Sequence, residues 1–366
     1  MKVLIFIDQM GAGGAARVTS SQCFALRDLG YDITLAFDNV NHGIIYPIPQ
    51  EVKIETFYSP TASKGGLSTI RYRLNLIHSS RRIIRKIKPD VIIAVQSNIF
   101  MEVFFAKLFS GIPIVVSDHT AIDRKIDIRT DFIRKHLYGL ADKLILLTQK
   151  DVKYLGNRFP NKTFIYNPLT YPVIHESTMR RKNVLCAGRV DSWSVKGFDR
   201  MIIMWGKISI QHPDWVLEIA GNGSQQGFEK LNQMIAENNA VQSVKLLGHI
   251  KDMKSLYQET SIFALPSRVE GFPMVLMEAM SQKCACISFA FNGSTKEMCG
   301  QYNACVVVED NDCDEFQNRL IRLMETDQER IELGEEAAKA AGRFSMENYG
   351  KEWDNVLKSV VKTSKQ

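Results

Sequence analysis

The sequence predicts an α/β protein of two domains, each a parallel sheet covered by helices. Three observations carry this expectation. Short β-branched runs alternate with longer amphipathic stretches, the alternation restarts near the middle of the chain, and 366 residues exceed what one hydrophobic core usually fills.

Residues 3–7, 33–37, 91–95, 114–117 and 144–147 read as the first set of strands. Their consecutive apolar positions suit strands buried on both faces. Helical patterns lie between them. Residues 16–29 form one, and Gly30 can end it in the left-handed conformation. Proline and polar residues then cluster from Tyr166-Asn167-Pro168-Leu169 to Arg181. A second set of strands follows at 184–187, 216–220, 244–247, 262–265, 285–288 and 305–308. The expected organisation is a first domain over 1–168, a second over 169–344 and a C-terminal helix within 345–366. Ligands of such sheets bind beyond the C-terminal ends of the strands, so two domains facing each other across a cleft would place one such edge on each wall.

Composition narrows the class. Hydrophobic residues make up 45% and charged residues 23%, as in a folded soluble protein. The seven cysteines include no Cys-x-x-Cys spacing, so free thiols in a reducing cytosol are expected and a zinc site is not. Asp8 cuts short the first apolar run, so the N-terminus does not read as a signal peptide and none is expected. No stretch reaches the roughly 18 apolar residues of a membrane span. Residues 99–116 come nearest and are broken by Glu102, Lys107, Gly111 and Pro113. A cytoplasmic protein, soluble or peripheral on the inner face of the cell membrane, is expected. Charge is uneven: residues 1–168 carry +9 and residues 169–366 carry −3. The basic half suits an anionic partner or is a solvated surface. No nucleic acid and no metal is expected to bind.

Three clusters carry chemistry. Residues 11–16 read Gly-Ala-Gly-Gly-Ala-Ala between a strand and a helix, where small residues let backbone N–H groups approach a phosphate. With Asp38 they also fit, loosely, the dinucleotide fingerprint, which is the basis of a nicotinamide oxidoreductase alternative. Against it, Asp8-Gln9-Met10 separate strand and glycines, whereas the dinucleotide turn is tight. In the second half Gly188-Arg189 follows a strand and Lys196-Gly197 precedes a helix, so both cations lie where a leaving diphosphate would develop charge. Downstream, 262–280 read IFALPSRVEGFPMVLMEAM. Pro273 suits a first helical turn, Glu270 lies before it and Glu278 within it. Two carboxylates there can accept sugar hydroxyls, and unpaired amides at the helix start can hold an anion. Solvated cations, a loop-capping Glu270 and an ion-paired Glu278 are the plainer readings.

These residues resemble glycosyltransferase family 4, a retaining family with the GT-B arrangement of two Rossmann-like domains. Gly188-Arg189…Lys196-Gly197, the AGNG of 220–223 and the segment 247–280 match in order and spacing, and Glu270 and Glu278 fall on the family's Glu-x7-Glu motif. The resemblance implies that Arg189 and Lys196 hold a donor diphosphate, Glu270 the donor sugar and Glu278 the ribose. Gly221 would join the donor pocket, His249 and Ile250 would meet the base, and Gly271, Phe272, Pro273, Met274 and Val275 would line diphosphate and sugar. Gly13 and Gly14 fall on the family's glycine loop, and His119, just beyond a strand, on its active-site histidine. The family's Glu after Gly-Gly-Ala is here Ala16, and its usual Gly and Pro after the second glutamate are Lys283 and Ala285. The final helix resembles one that crosses back onto the first domain.

The expected function is transfer, with retention, from a nucleotide-sugar co-substrate, UDP-hexose or UDP-N-acetylhexosamine, to a glycan acceptor that is lipid-linked. A non-catalytic nucleotide-sugar binder and a nucleotide-sugar epimerase remain alternatives beside the oxidoreductase. The segment 69–88 carries seven cations and no acid, with Ile70, Leu74, Ile77, Ile84 and Ile87 on one face. It reads either as a face for anionic lipid or as an ordinary core-facing helix.

Overall fold

The structure is a computed structural model that describes residues 1–11, 13–38, 43–57, 67–176, 179–291, 293–300 and 302–363. Ala12 of the glycine stretch and residues 177–178 of the linker lie outside them. The chain forms two compact units, Met1–Pro168 with Met346–Gln366, and Leu169–Ser345.

The first unit runs β1 (Lys2–Phe6), α1 (Gly14–Asp28), β2 (Asp32–Phe37), β3 (Lys53–Thr56), α2 (Leu67–Ile87), β4 (Val91–Val95), α3 (Ser97–Lys107), β5 (Ile114–Ser117), α4 (Ile128–Phe132), β6 (Lys143–Leu146), α5 (Gln149–Leu155) and β7 (Lys162–Phe164). After α4 the helix continues as a π turn, Ile133–Leu137, and a 3-10 turn, Tyr138–Leu140. The second unit runs β8 (Arg181–Ala187), α6 (Trp193–Lys196), α7 (Phe198–Gln211), β9 (Val216–Ala220), α8 (Gln225–Glu237), β10 (Val244–Gly248), α9 (Met253–Glu259), β11 (Thr260–Leu265), α10 (Met274–Ser281), β12 (Ala285–Phe289), α11 (Ser294–Cys299), β13 (Val306–Val308), α12 (Cys313–Glu325) and α13 (Asp327–Ala341). The last helix, α14 (Met346–Thr363), belongs to the first unit.

The sheets are ordered β3-β2-β1-β4-β5-β6-β7 and β10-β9-β8-β11-β12-β13. Every strand pairing is parallel. In each sheet the order reverses beside the first strand of the unit, which opens a crevice between β1 and β4 and between β8 and β11. Central strands such as β4 and β11 are buried throughout, which is why their sequence is a continuous apolar run. The sequence gives no signal for β3 and β7. Both are edge strands, short and partly exposed, so neither has such a run.

Helix ends are set locally. Gly30 lies at φ +79°, with its N–H on Arg27 and the Tyr31 N–H on Leu26, the two bonds of a Schellman motif. Asp127 caps α4 through the amides of Arg129 and Thr130 at 3.1 and 3.0 Å. On α14, Trp353 is buried edge-on to Tyr349, Gly350 packs on Ala25 and Leu29, and Asp354 accepts from Tyr31 Oη at 2.6 Å.

The structure corrects the reading of 69–88 as a lipid face. Ile84 is buried, and Ile77 and Ile87 pack against the core of the first unit, so the stripe faces inward over most of its length. Arg73 pairs with Glu102, Lys86 pairs with Glu55, and Arg81 donates to the carbonyls of Phe105 and Ala106. Only Ile70 and Leu74, in the first turns, stay exposed. Among the described residues no helix is long and apolar enough to cross a membrane.

Because α14 contributes a fully buried tryptophan to the first unit, Trp353→Ala is expected to destabilise it by about 3–5 kcal/mol. A lowered urea midpoint of the purified variant is the check.

Candidate active site

In the second unit the site residues follow from strand ends on both sides of the crevice. Gly188 and Arg189 leave β8, and the loop carrying Glu270 leaves β11, its parallel neighbour. A Cβ at Gly188 would sit 3.0–3.1 Å from the aliphatic stem of Lys196, so glycine there makes room for that lysine. Gly197, at φ +69°, ends α6, and a Cβ on it would lie 1.7 Å from the Pro266 carbonyl oxygen. That close approach delivers Lys196 to the β11 loop. Lys196 Nζ lies 2.7 Å from Glu270 Oε1, which also accepts Ser267 Oγ at 2.7 Å. Gly221 has the same role on the other flank, where a Cβ would meet the Gly188 oxygen at 1.7 Å.

The Glu270 loop is held from below by the first turn of α7. Arg200 is buried, stacks 3.8 Å from the Phe289 ring centre, and donates to the carbonyls of Pro266 and Ser267, both at 2.6 Å. Its remaining arm meets Asp310 at 3.1 Å. Asp199 takes both arms of Arg268 at 2.7 and 2.9 Å. Pro273 is the N-cap of α10, one position before the first-turn place expected for it. The Phe272 ring is buried and packs edge-on to Phe344. The first intrahelical bonds come from Leu276 and Met277 to the Pro273 oxygen. The Met274 and Val275 amides precede them, at the positive end of the helix. Glu278 is buried within α10 and accepts Tyr257 Oη at 3.2 Å. Arg189 is exposed beside Asp191, whose carboxyl is held below its usual range by Ser224. His249, exposed, and Ile250, half-buried, follow β10 at the sheet edge.

In the first unit the loop from β1 to α1 spans seven residues, 7–13. Among the described residues nothing lies within 4 Å of a Cβ built on Gly13 or Gly14. His119 follows β5 and lies 3.1 Å from Ser117 Oγ through Nε2. Burial pushes its imidazole down to about 4, against the opposing pull of Asp118 and Asn167, so the ring is neutral at neutral pH. Asp118 fixes this loop by accepting from Arg134 Nε at 2.9 Å and Tyr138 Oη at 2.7 Å. Arg134 in turn donates to the carbonyls of Thr120, Ala121 and Arg124.

Thus Lys196 and Glu270 touch, Gly188 and Gly221 shape their surroundings, and Glu278 has its own partner. Sequence reasoning did not find Ser267, Arg200, Arg268, Tyr257, Asp118 or Arg134. Arg200 left a trace, as a cation among the apolar residues of α7. It also passed over the Asp-x-Asp spacing of Asp310, Asp312 and Asp314. Asp310 pairs with Arg200, and Asp312 caps α12 through the Glu315 amide at 3.1 Å. Among the described residues no group of three or more His, Cys, Asp or Glu could hold a metal.

Residues 170–340 match the family described as Glycosyl transferases group 1, and residues 12–169 match Glycosyltransferase Family 4. The chain is 27% identical to the amylovoran biosynthesis glycosyltransferase AmsD of Erwinia amylovora, over 97% of this chain and 99% of that protein. It is 23% identical, over 98% and 99%, to a Campylobacter jejuni α-1,4-N-acetyl-D-galactosaminyltransferase named for a diphospho-undecaprenol-linked acceptor. Anabaena HepE, solved with UDP and glucose, shares the fold with a TM-score of 0.79 at 17% identity, over 98% of this chain and 100% of that one.

Two outcomes are expected from this geometry. Arg200→Met leaves two buried carbonyls unpaired and should cost about 2–5 kcal/mol, read by urea denaturation. His119 binds a proton less readily folded than unfolded, so its contribution to stability is complete above pH 6.5 and is lost as pH falls towards 4. His119→Gln should flatten the pH dependence of Tm in that window.

Proposed function

This chain belongs to glycosyltransferase family 4, and we propose that it is a retaining enzyme moving a hexosyl or N-acetylhexosaminyl group from a UDP-sugar to a lipid-linked glycan. Its place in polysaccharide or lipid-linked glycan biosynthesis accords with its relatives, and two of them support the finer reading. AmsD is named for amylovoran biosynthesis, and the Campylobacter enzyme for an undecaprenol-linked acceptor and an N-acetylhexosamine.

The observation that carries the proposal is the Lys196–Glu270 pair at the switch point of the second sheet. It sets a cation and a carboxylate side by side, where a sugar diphosphate needs one of each. Lys196, Arg189 and the amides of Met274 and Val275 would take the diphosphate. Glu270 and Ser267 would take donor-sugar hydroxyls, and Glu278, oriented by Tyr257, the ribose. His249 and Ile250 would flank the base. The C–O bond from sugar to diphosphate breaks heterolytically, and the electron pair leaves on phosphate. The acceptor hydroxyl attacks the oxocarbenium-like carbon from the same face, and its proton passes to the departing phosphate oxygen. Lys196 and Arg189 lower the cost of the charge that develops. The first unit would bind the acceptor. There, neutral His119 would offer a hydrogen bond without adding positive charge. Fixed cations and amides supply the charge stabilisation, so the reaction is expected to proceed in EDTA.

The nicotinamide reading loses its footing in the seven-residue loop after β1, which is not the tight turn a dinucleotide pyrophosphate needs.

A screen of UDP-, GDP- and ADP-sugars and nicotinamide cofactors, by thermal shift and nucleotide release, tests the assignment. A UDP-sugar should raise Tm and be slowly hydrolysed. Lys196→Ala and Glu270→Ala should each lower kcat/KM by roughly 100-fold or more. Wild-type turnover in either variant refutes that residue's role, and a shift with a nicotinamide cofactor alone refutes the activity.

A further inference from the structure

The first unit gathers exposed apolar side chains at one junction. Glu102 Oε1, on α3, accepts both Arg73 of α2 at 2.5 Å and Arg129 of α4 at 2.6 Å, so three elements converge on one carboxylate. Within a turn or so of that point Ile70 is 58% exposed, Leu74 60%, Ile126 49%, Ile128 92% and Phe132 55%. Ile128 and Phe132 lie four residues apart on one helical face, and the Phe132 ring stacks on His136 with centres 4.9 Å apart. Single exposed apolar side chains are ordinary on a protein surface, but a group of them at one place marks an interaction site.

Cations adjoin the patch. Arg124, Lys125, Lys135 and Arg158 line a concavity of about 390 Å³ next to it, with buried Arg134 at its back. Asp123 and Asp131 are the acids of that lining. Asp123 faces Lys150 at 3.6 Å and Asp131 accepts the Ile126 amide at 3.1 Å. Apolar side chains beside a concavity whose lining has five cations and two acids match the interface of an anionic bilayer, with hydrocarbon below and phosphate above.

We propose that the segment Ile126–Phe132, with Ile70 and Leu74, seats the protein on an anionic lipid surface, the adjoining cations holding its phosphates. This rests on the reading of a lipid-linked acceptor, and of the α2 stripe it keeps only Ile70 and Leu74, in the first turns, which the core leaves exposed. The asymmetry is physical: beyond its first turns α2 spends its apolar face on the core, whereas Ile128 is 92% exposed.

The test is flotation of the full chain with phosphatidylglycerol–phosphatidylethanolamine vesicles and with phosphatidylcholine vesicles, alongside the UDP-sugar thermal shift. The wild type should float with the anionic vesicles only, and less in 0.5 M salt than in 0.1 M, because the Debye length shrinks from about 10 Å at 0.1 M to roughly half that at 0.5 M. Ile128→Asp with Phe132→Ser should lower the partition by roughly tenfold or more, and Lys125→Ser by about fivefold. Both substitutions are at exposed positions, and an unchanged thermal shift with UDP-sugar certifies the fold. Failure of the wild type to float, or flotation of the variants at the wild-type level, overturns the proposal while leaving sugar transfer intact. A dimer in sedimentation that Ile128→Asp dissolves, without vesicle binding, assigns the patch to a second copy and overturns it too. Flotation as expected with no shift from any nucleotide sugar keeps the surface and removes the sugar-transfer reading.

Discussion

Lys196 reaches Glu270 only because two backbones pass closer than any side chain would allow. The Cβ that Gly197 lacks would stand 1.7 Å from a carbonyl oxygen of the β11 loop, and the one that Gly221 lacks would stand as near to Gly188. The charged groups of the candidate site are arranged around this tolerance. The lysine stem lies over Gly188, its ammonium meets Glu270, and Ser267 completes the carboxylate's shell. An ion pair of this kind contributes little to stability once desolvation is set against attraction. Its value is positional, since each partner is already in place when a ligand carrying the complementary group arrives.

The two units solve different electrostatic problems. In the second, Lys196 sits against Glu270 at the candidate site and the loop is braced by Arg200 and Arg268 from beneath. In the first, Asp118 and Arg134 neutralise each other in the interior and spend their hydrogen bonds on the 118–124 loop. The result is a half-buried, uncharged histidine on a braced support. Such a ring can donate or accept a hydrogen bond without adding a charge that a cationic transition state would oppose.

The parts of the fold written in apolar runs could be read directly. Residues 91–95, 114–117 and 216–220 are strands in both readings, because central parallel strands are buried on both faces. Edge strands β3 and β7 carry no such mark. The amphipathic pattern of α2 was visible, but periodicity tells only that a helix has an apolar side, and whether core or lipid covers it depends on tertiary packing. The site divides in the same way. Glycines, cations and glutamates at strand ends were legible from chemistry and spacing. Their supports were not: Arg200 works through carbonyls 66 and 67 residues away, and Tyr257 reaches Glu278 across 21. Contacts between distant residues leave no local pattern to find.

The helix α14 makes the first unit discontinuous, with the whole second unit inserted before its last piece. During synthesis the second unit emerges as one uninterrupted stretch and can complete its own core. The first unit must wait, its α1 groove open to water, until Trp353 and Leu357 leave the ribosome. Damage to the chain past Ser345 therefore strikes the unit that begins at Met1, and the order of completion in space is the reverse of the order in sequence.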